Sequence, residues 1–128
     1  MSHEQPDKLD TIFAMQQALN ANIRETRGLT FSREEWIQKQ TLALVAELSE
    51  VLDEVNYRWW KNPKPADPDA LKEELVDVLH FLLSMCLEAG MDAQDLYDRY
   101  LAKNEENFKR QQGLSAKKGY TLEEANPT

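Results

Sequence analysis

Two short stretches put acids where a packed helix would otherwise carry apolar residues: Leu44-Val45-Ala46-Glu47-Leu48-Ser49-Glu50-Val51-Leu52 and Leu71-Lys72-Glu73-Glu74-Leu75-Val76-Asp77-Val78-Leu79. In each, two acids stand three residues apart (Glu47 and Glu50; Glu74 and Asp77), so on a helix each pair shares one face. Carboxylates gathered beside a core repel one another and lose hydration unless cations sit among them. The pattern therefore predicts a divalent-metal site made by two packed helices. The donors are hard oxygens, with no cysteine among them and only His80 nearby, which favours Mg²⁺ or Mn²⁺ over Zn²⁺. Either pair alone is also what a solvated helix face carries; apolar residues on both sides of both pairs tip the reading towards metal. A di-iron bundle is the rival geometry, but it needs Glu-x-x-His on each of two helices, and Asp77-Val78-Leu79-His80 has no second counterpart here. Taken alone, His80 reads as a satisfied core histidine and Cys86 as a packed thiol.

Three other groups could contribute chemistry. Lys103, Asn107 and Arg110 fall at offsets of zero, four and seven, a cationic and amide-bearing stripe. From Asn107 to Tyr120 the basic residues Lys109, Arg110, Lys117 and Lys118 occur with no acid among them. That excess suits phosphate contacts, Arg by its fork and Lys as a point charge; complementing a helix dipole would account for one or two of the four. An aromatic and basic corner lies at Tyr57-Arg58-Trp59-Trp60-Lys61. Near the N-terminus, Phe13, Gln17, Asn20 and Arg24 lie along one helix face, where the amides read ordinarily as polar flank positions.

The elements that must position these groups are helices. Ile12, Met15, Leu19 and Ile23 recur at helical spacing from about Leu9 to Arg27, with Gly28 as a stop and residues 1–8 frayed. Ser32-Arg33-Glu34-Glu35 has the form of a capping box and opens a second helix expected to reach about Tyr57, with Leu44, Leu48, Val51 and Val55 as its core stripe. Three prolines between Asn62 and Asp69 impose a loop. Asp67 before Pro68 is a good cap for a third helix to about Ala89, broad in its apolar surface and so the most buried. Asp92 caps a fourth, ending near Gln112, with Leu96, Tyr97, Tyr100, Leu101 and Phe108 on its apolar side. No strand alternation of useful length is present, so the fold class expected is all-α, a bundle of four to five helices in one domain over residues 1–128, with 121–128 a loose end.

Composition narrows the classes of partner. A chain of 128 residues with 41% hydrophobic content can form one modest core. A net charge of −8 argues against a general nucleic-acid or anionic-membrane binder, both of which want basic surface. An acidic protein still binds an anionic small molecule when cations bridge the two. The single cysteine excludes an internal disulfide framework. No run of apolar residues reaches membrane-spanning length and the N-terminus has no signal-like core, so the expected location is the cytoplasm. Wide apolar faces on so small a chain suggest a homodimer or a higher homo-oligomer.

Taken in order, Glu47-x-x-Glu50, Tyr57-Arg58-Trp59-Trp60-Lys61, Glu73-Glu74-Leu75-Val76-Asp77-Val78-Leu79-His80-Phe81, Lys103-Asn104-x-x-Asn107-x-x-Arg110-Gln111 and Gly119-Tyr120 resemble the dimeric dUTPases, a branch of the all-α nucleoside triphosphate pyrophosphohydrolases that also include the MazG-type enzymes. The likeness spans most of residues 13–120. It implies Mg²⁺-dependent cleavage of a nucleoside triphosphate, dUTP above others, to the monophosphate and pyrophosphate. It further implies metal binding by Glu47, Glu50, Glu74 and Asp77, with Glu50 ahead of Glu47 as the base that activates water. Lys103, Asn107 and Arg110, with Lys61 and Tyr120 behind them, match phosphate contacts. Gln17 (or Gln16) and Asn20 match the amides that read uracil, and Trp60, His80 and Phe81 match the walls of the nucleoside pocket. The chain lacks the insertion after the third helix that many dimeric dUTPases have, which leaves open a MazG-type enzyme of different or broader base preference. A non-catalytic helical dimerisation module is the alternative of another class.

Overall fold

A computed structural model describes residues 7–117 of the chain. They form four α-helices and no strand: α1 (Lys8–Arg27), α2 (Arg33–Glu54), α3 (Pro68–Glu88) and α4 (Ala93–Gln111). The fold class is all-α, as the sequence leads one to expect. The chain divides into two compact units, Met1–Asp92 and Ala93–Thr128, and each is described by itself.

Helix boundaries follow local chemistry. Asp7 caps α1 in a reciprocal box with Asp10, so Asp7 and Lys8, which the sequence reading left in a frayed end, belong to the helix start. Gly28 ends α1 in the left-handed region at φ 63°, where a side chain on Cβ would be strained. Ser32 accepts from the Glu35 backbone N–H at the start of α2, but its hydroxyl donates to the Glu35 carboxylate, so only half of a capping box forms. Asp67 caps α3 through the Ala70 N–H, with Pro68 in the first turn.

The end of α2 corrects the sequence reading. The helix stops at Glu54 and not near Tyr57, because Asn56 adopts a left-handed backbone (φ 51°). Its side-chain amide donates to the Lys64 carbonyl and accepts from the Lys64 N–H, both at 3.0 Å. This two-bond clamp, backed by a Lys64–Glu54 ion pair at 2.9 Å, closes the loop that carries the aromatic corner.

In the first unit, α3 packs against both α1 and α2. Three side-chain pairs join α1 to α3: Gln16 with His80, Asn20 with Ser84 and Arg24 with Glu88. All three are separated by 64 residues, so the two helices run parallel and in step, one pair per turn. Between α2 and α3 the numbers run in opposite directions, Thr41 beside Met85 and Glu50 beside Glu74, so that pair is antiparallel. Phe13, Leu83 and Cys86 are buried, with Gln16, Gln40 and Ser84 as buried polar residues. Leu83, only 4% exposed, is among the most buried of the apolar side chains. Truncation by Leu83→Ala is expected to lower the free energy of unfolding by about 2–5 kcal/mol. Urea denaturation checks this: the midpoint should fall with little change in slope, and an unchanged midpoint would remove Leu83 from the core.

Candidate active site

The parallel and antiparallel registers together stack side chains in levels along one cleft of about 500 Å³ in the first unit. Arg24 and Trp36 stand at one end, the guanidinium 4.2 Å from the indole centre. Next come Asn20, Ser84 and Gln40, then Gln16, His80 and Phe81, and at the other end Glu47 and Asp77. Helical repeat accounts for the set. Residues 16, 20 and 24 line one face of α1, residues 36, 40 and 47 one face of α2, and residues 77, 80, 81 and 84 one face of α3.

The middle of the cleft is a continuous polar chain. With Gln16 Oε1 as acceptor, His80 carries its proton on Nδ1 and donates. Gln16 Nε2 donates to Asn20 Oδ1 at 2.9 Å, and Asn20 Nδ2 donates to Ser84 Oγ at 3.2 Å. The Ser84 hydroxyl closes the chain on the His80 carbonyl at 2.9 Å. Each amide uses one N–H inside the chain and keeps another, since a side-chain amide carries two.

At the acidic end, Glu47, Glu50 and Glu74 each offer a carboxylate oxygen within 4.8 Å of the others. Asp77 lies outside that closest group but near enough to raise the pKa of both Glu47 and Glu74 by its charge. Glu47 is pushed up first by desolvation, then by Glu50 and Asp77. Glu74 rises from 4.5 to about 7, chiefly because the Glu50 carboxylate stands close enough to share a proton with it. Glu47 Oε2 and Glu74 Oε2 are buried without a hydrogen-bond partner. Anionic oxygens that are mutually repelling, desolvated and unpartnered fit a hard divalent cation, and the all-oxygen donor set fits Mg²⁺ or Mn²⁺.

Not every residue picked out in the sequence comes to the cleft. Asn20, His80, Phe81, Glu47 and Asp77 line it, and Glu50 and Glu74 join Glu47. On α1 the cleft is lined by Gln16, buried to 5% exposure, whereas Gln17 is exposed and outside the lining. Trp60 sits on the exposed loop, edge-on to Trp59 at 4.7 Å, and is not among the lining residues; Lys61 is exposed beside it. The aromatic that does line the cleft beside Arg24 is Trp36. Lys103 and Asn107 are exposed and Arg110 half-buried on α4, in the second unit. Tyr120 lies outside the described residues. Sequence reasoning passed over Trp36, Gln40 and Ser84. Trp36, Gln40 and Glu47, at offsets of zero, four and eleven, share a helix face, and that spacing was there to be read.

The dUTPase family matches residues 8–95, most of the chain and all of the cleft. The chain belongs to the dUTPase family. A segment of 47 residues is also 45% identical to dCTP pyrophosphatase of Enterobacteria phage T4 and 40% identical, over the same length, to dCTP pyrophosphatase of Enterobacteria phage LZ5. The segment is 37% of this chain but only 28% and 27% of those relatives, so the shared part is a minor share of each. No solved structure matches significantly.

The raised acids fix the sign of a pH effect in this dUTPase-family chain. A carboxyl whose folded pKa exceeds its unfolded value contributes stability that is full below about 4.5 and is lost as pH rises through about 7. The metal-free protein should therefore melt at higher temperature near pH 5 than near pH 8, and Glu74→Gln should flatten that difference. Mg²⁺ or Mn²⁺ should raise the melting temperature at pH 8 in the wild type and much less in the variant. Scanning calorimetry checks both, and a wild type insensitive to pH and to metal would contradict the reading.

Proposed function

We propose that the chain is a divalent-metal-dependent nucleoside triphosphate pyrophosphohydrolase that cleaves dUTP to dUMP and pyrophosphate. The single observation that carries this is the layout of one cleft: an amide and imidazole chain in the middle, and a metal-fitting acid cluster at one end. Seven residues of α2 separate Gln40, level with Asn20 and Ser84, from Glu47, about 10 Å along the helix axis. That separation is comparable to the reach from a pyrimidine's hydrogen-bonding edge to its 5′-phosphates. Family membership supports the same reaction.

In this reading Glu47, Glu50, Glu74 and Asp77 hold Mg²⁺, with Mn²⁺ as a substitute. When bound, the ion supplies charge neutralisation for the triphosphate and makes water more acidic. The same carboxylates would hold the ion, and Glu47 and Glu50 would orient the reacting water towards the α-phosphorus. Glu50, ahead of Glu47, accepts the water proton as the oxygen attacks; the bond to the bridging oxygen breaks and pyrophosphate leaves. Gln16 and Asn20 present amide groups to the uracil edge, in the place assigned to Gln17 from sequence, while His80 fixes Gln16 and Phe81 walls the nucleoside. Lys103, Asn107 and Arg110, with Lys61 and Tyr120, are the proposed phosphate contacts. Exposed apolar residues such as Leu42, Val45, Leu75, Val76 and Leu79 support assembly as a homodimer. No helix among the described residues is long and apolar enough to cross a membrane, and a cytoplasmic nucleotide enzyme is the setting proposed.

A second reading has one specific support: both phage relatives are dCTP pyrophosphatases, which makes dCTP the competing substrate. A panel of dUTP, dCTP, dTTP and dATP separates the readings by pyrophosphate release with Mg²⁺. Preference for dUTP supports the proposal, preference for dCTP the second reading, flat activity a broad house-cleaning enzyme, and no release a non-catalytic module. Glu50→Gln should lower turnover by roughly a hundredfold or more while circular dichroism stays unchanged. Turnover that survives this substitution would take the base role from Glu50.

A further inference from the structure

Gln40 has no part in the polar chain of the cleft, in the acid cluster, or in the motifs that carry the family resemblance. It is nevertheless buried to 8% exposure, it lines the cleft, and its Oε1 has no hydrogen-bond partner. A desolvated amide oxygen without a donor weakens the folded state, and a core position of this kind is ordinarily filled by an apolar side chain of similar volume. Outside the acid cluster, one further buried group of the cleft shares the condition among the described residues. Arg24 uses Nη2 for Glu88 at 2.7 Å and stacks on Trp36, but its Nε is also buried without a partner. An unpartnered acceptor and an unpartnered donor thus line one cavity from two different helices without meeting each other.

Their order along the cleft has chemical content. The register that sets Thr41 beside Met85 puts Gln40 level with Ser84 and Asn20. Arg24 lies one level away from the acids, and Gln16 one level towards them. The spare Asn20 N–H lies at the level of Gln40, on another helix; along the cleft the groups left free run from the Arg24 Nε–H to Gln40 Oε1 and then to the spare N–H of the Gln16 amide. That is donor, acceptor, donor. The Watson–Crick edge of uracil is its complement: acceptor O4, donor N3–H, acceptor O2. Cytosine presents donor, acceptor, acceptor, and its N3 lone pair would face the Gln40 oxygen.

We propose that Gln40 is a specificity-determining residue, whose Oε1 accepts the N3–H of a uracil base and thereby selects uracil over cytosine, with Arg24 Nε–H donating to the adjacent carbonyl. The assignment rests on the nucleotide reading above and extends it to α2, from which that reading drew only Glu47 and Glu50. In the orientation the structure gives the Gln40 amide, an acceptor faces an acceptor, and the wrong base leaves both groups desolvated and unpaired.

The test uses the full chain, binding without turnover, and three probes: dUMP, dCMP and inorganic pyrophosphate with Mg²⁺. Gln40→Met removes the amide at nearly constant volume. The expected result has three parts. The ligand-free melting temperature stays level or rises, the dissociation constant for dUMP rises roughly tenfold or more, and the ratio of dCMP to dUMP dissociation constants falls towards one. Pyrophosphate binding should be unchanged. Gln40→Asn, which keeps the amide but shortens it by one methylene, should show the same order of effects at smaller size, and it decides the question if the methionine variant does not fold. Dissociation constants for dUMP within twofold of wild type would overturn the proposal. So would equal loss for dUMP, dCMP and pyrophosphate, or a lowered ligand-free melting temperature with the base ratio intact, since each describes a merely structural residue. A wild type that hydrolyses no nucleotide in the panel sinks the functional reading itself; one that hydrolyses dUTP while Gln40→Met keeps its base ratio sinks only this inference.

Discussion

Repulsion among carboxylates at the α2–α3 seam is the constraint on which the rest of this structure depends. Helices that merely needed to pack would put leucine at positions 47 and 74. Here those positions carry acids, and the result is three carboxylates drawn close together, two of them with a buried oxygen that nothing satisfies. In the absence of a cation the local answer is protonation, which is why Glu74 titrates near neutrality. Such a seam is unfavourable for an isolated fold and favourable for one that holds a cation between the helices. The cap at Asp67 opens α3, and the left-handed turn at Asn56 follows the end of α2 at Glu54.

The second consequence of the helical register is a graded cleft. Because α1 and α3 run in step and α2 runs against them, each helical turn adds one level of side chains drawn from three helices. Chemistry changes along those levels from cation and indole, through amides, to carboxylates. A ligand that is polar and planar at one end and polyanionic at the other is what such a gradient suits, and a nucleotide is both. The hydrogen-bonded chain from His80 through Gln16 and Asn20 to Ser84 holds the middle levels with their spare donors fixed in direction. A site held this way loses little freedom when it closes on a ligand.

How much of this was legible in the sequence differs by feature. The four acids were readable because charge set among leucines and valines at a three-residue spacing, twice over, is costly for a helix that only packs. The helices were readable from Gly28, Asp67–Pro68 and the apolar repeat. The end of α2 was not, because the left-handed turn at Asn56 depends on Lys64, eight residues on, which no local pattern reveals. Gln17 and Gln16 could not be separated by spacing, since adjacent glutamines differ only in which side of α1 meets α3. Trp60 drew attention as an aromatic beside a lysine, yet the tryptophan lining the cleft is Trp36, whose partner Arg24 comes from another helix. Gln40 shares a helix face with Trp36 and Glu47, which spacing carries, but its level against Asn20 and Ser84 is a tertiary fact.

The central claim is that the acid cluster and the amide chain are two ends of one ligand site, joined through a cation. Calorimetric titration of the protein with α,β-imido-dUTP, once with Mg²⁺ and once with EDTA, tests it most directly. The account predicts a clear binding heat with Mg²⁺ and little or none with EDTA, because the carboxylates repel a triphosphate that brings no cation. Equal affinity in both titrations would contradict it.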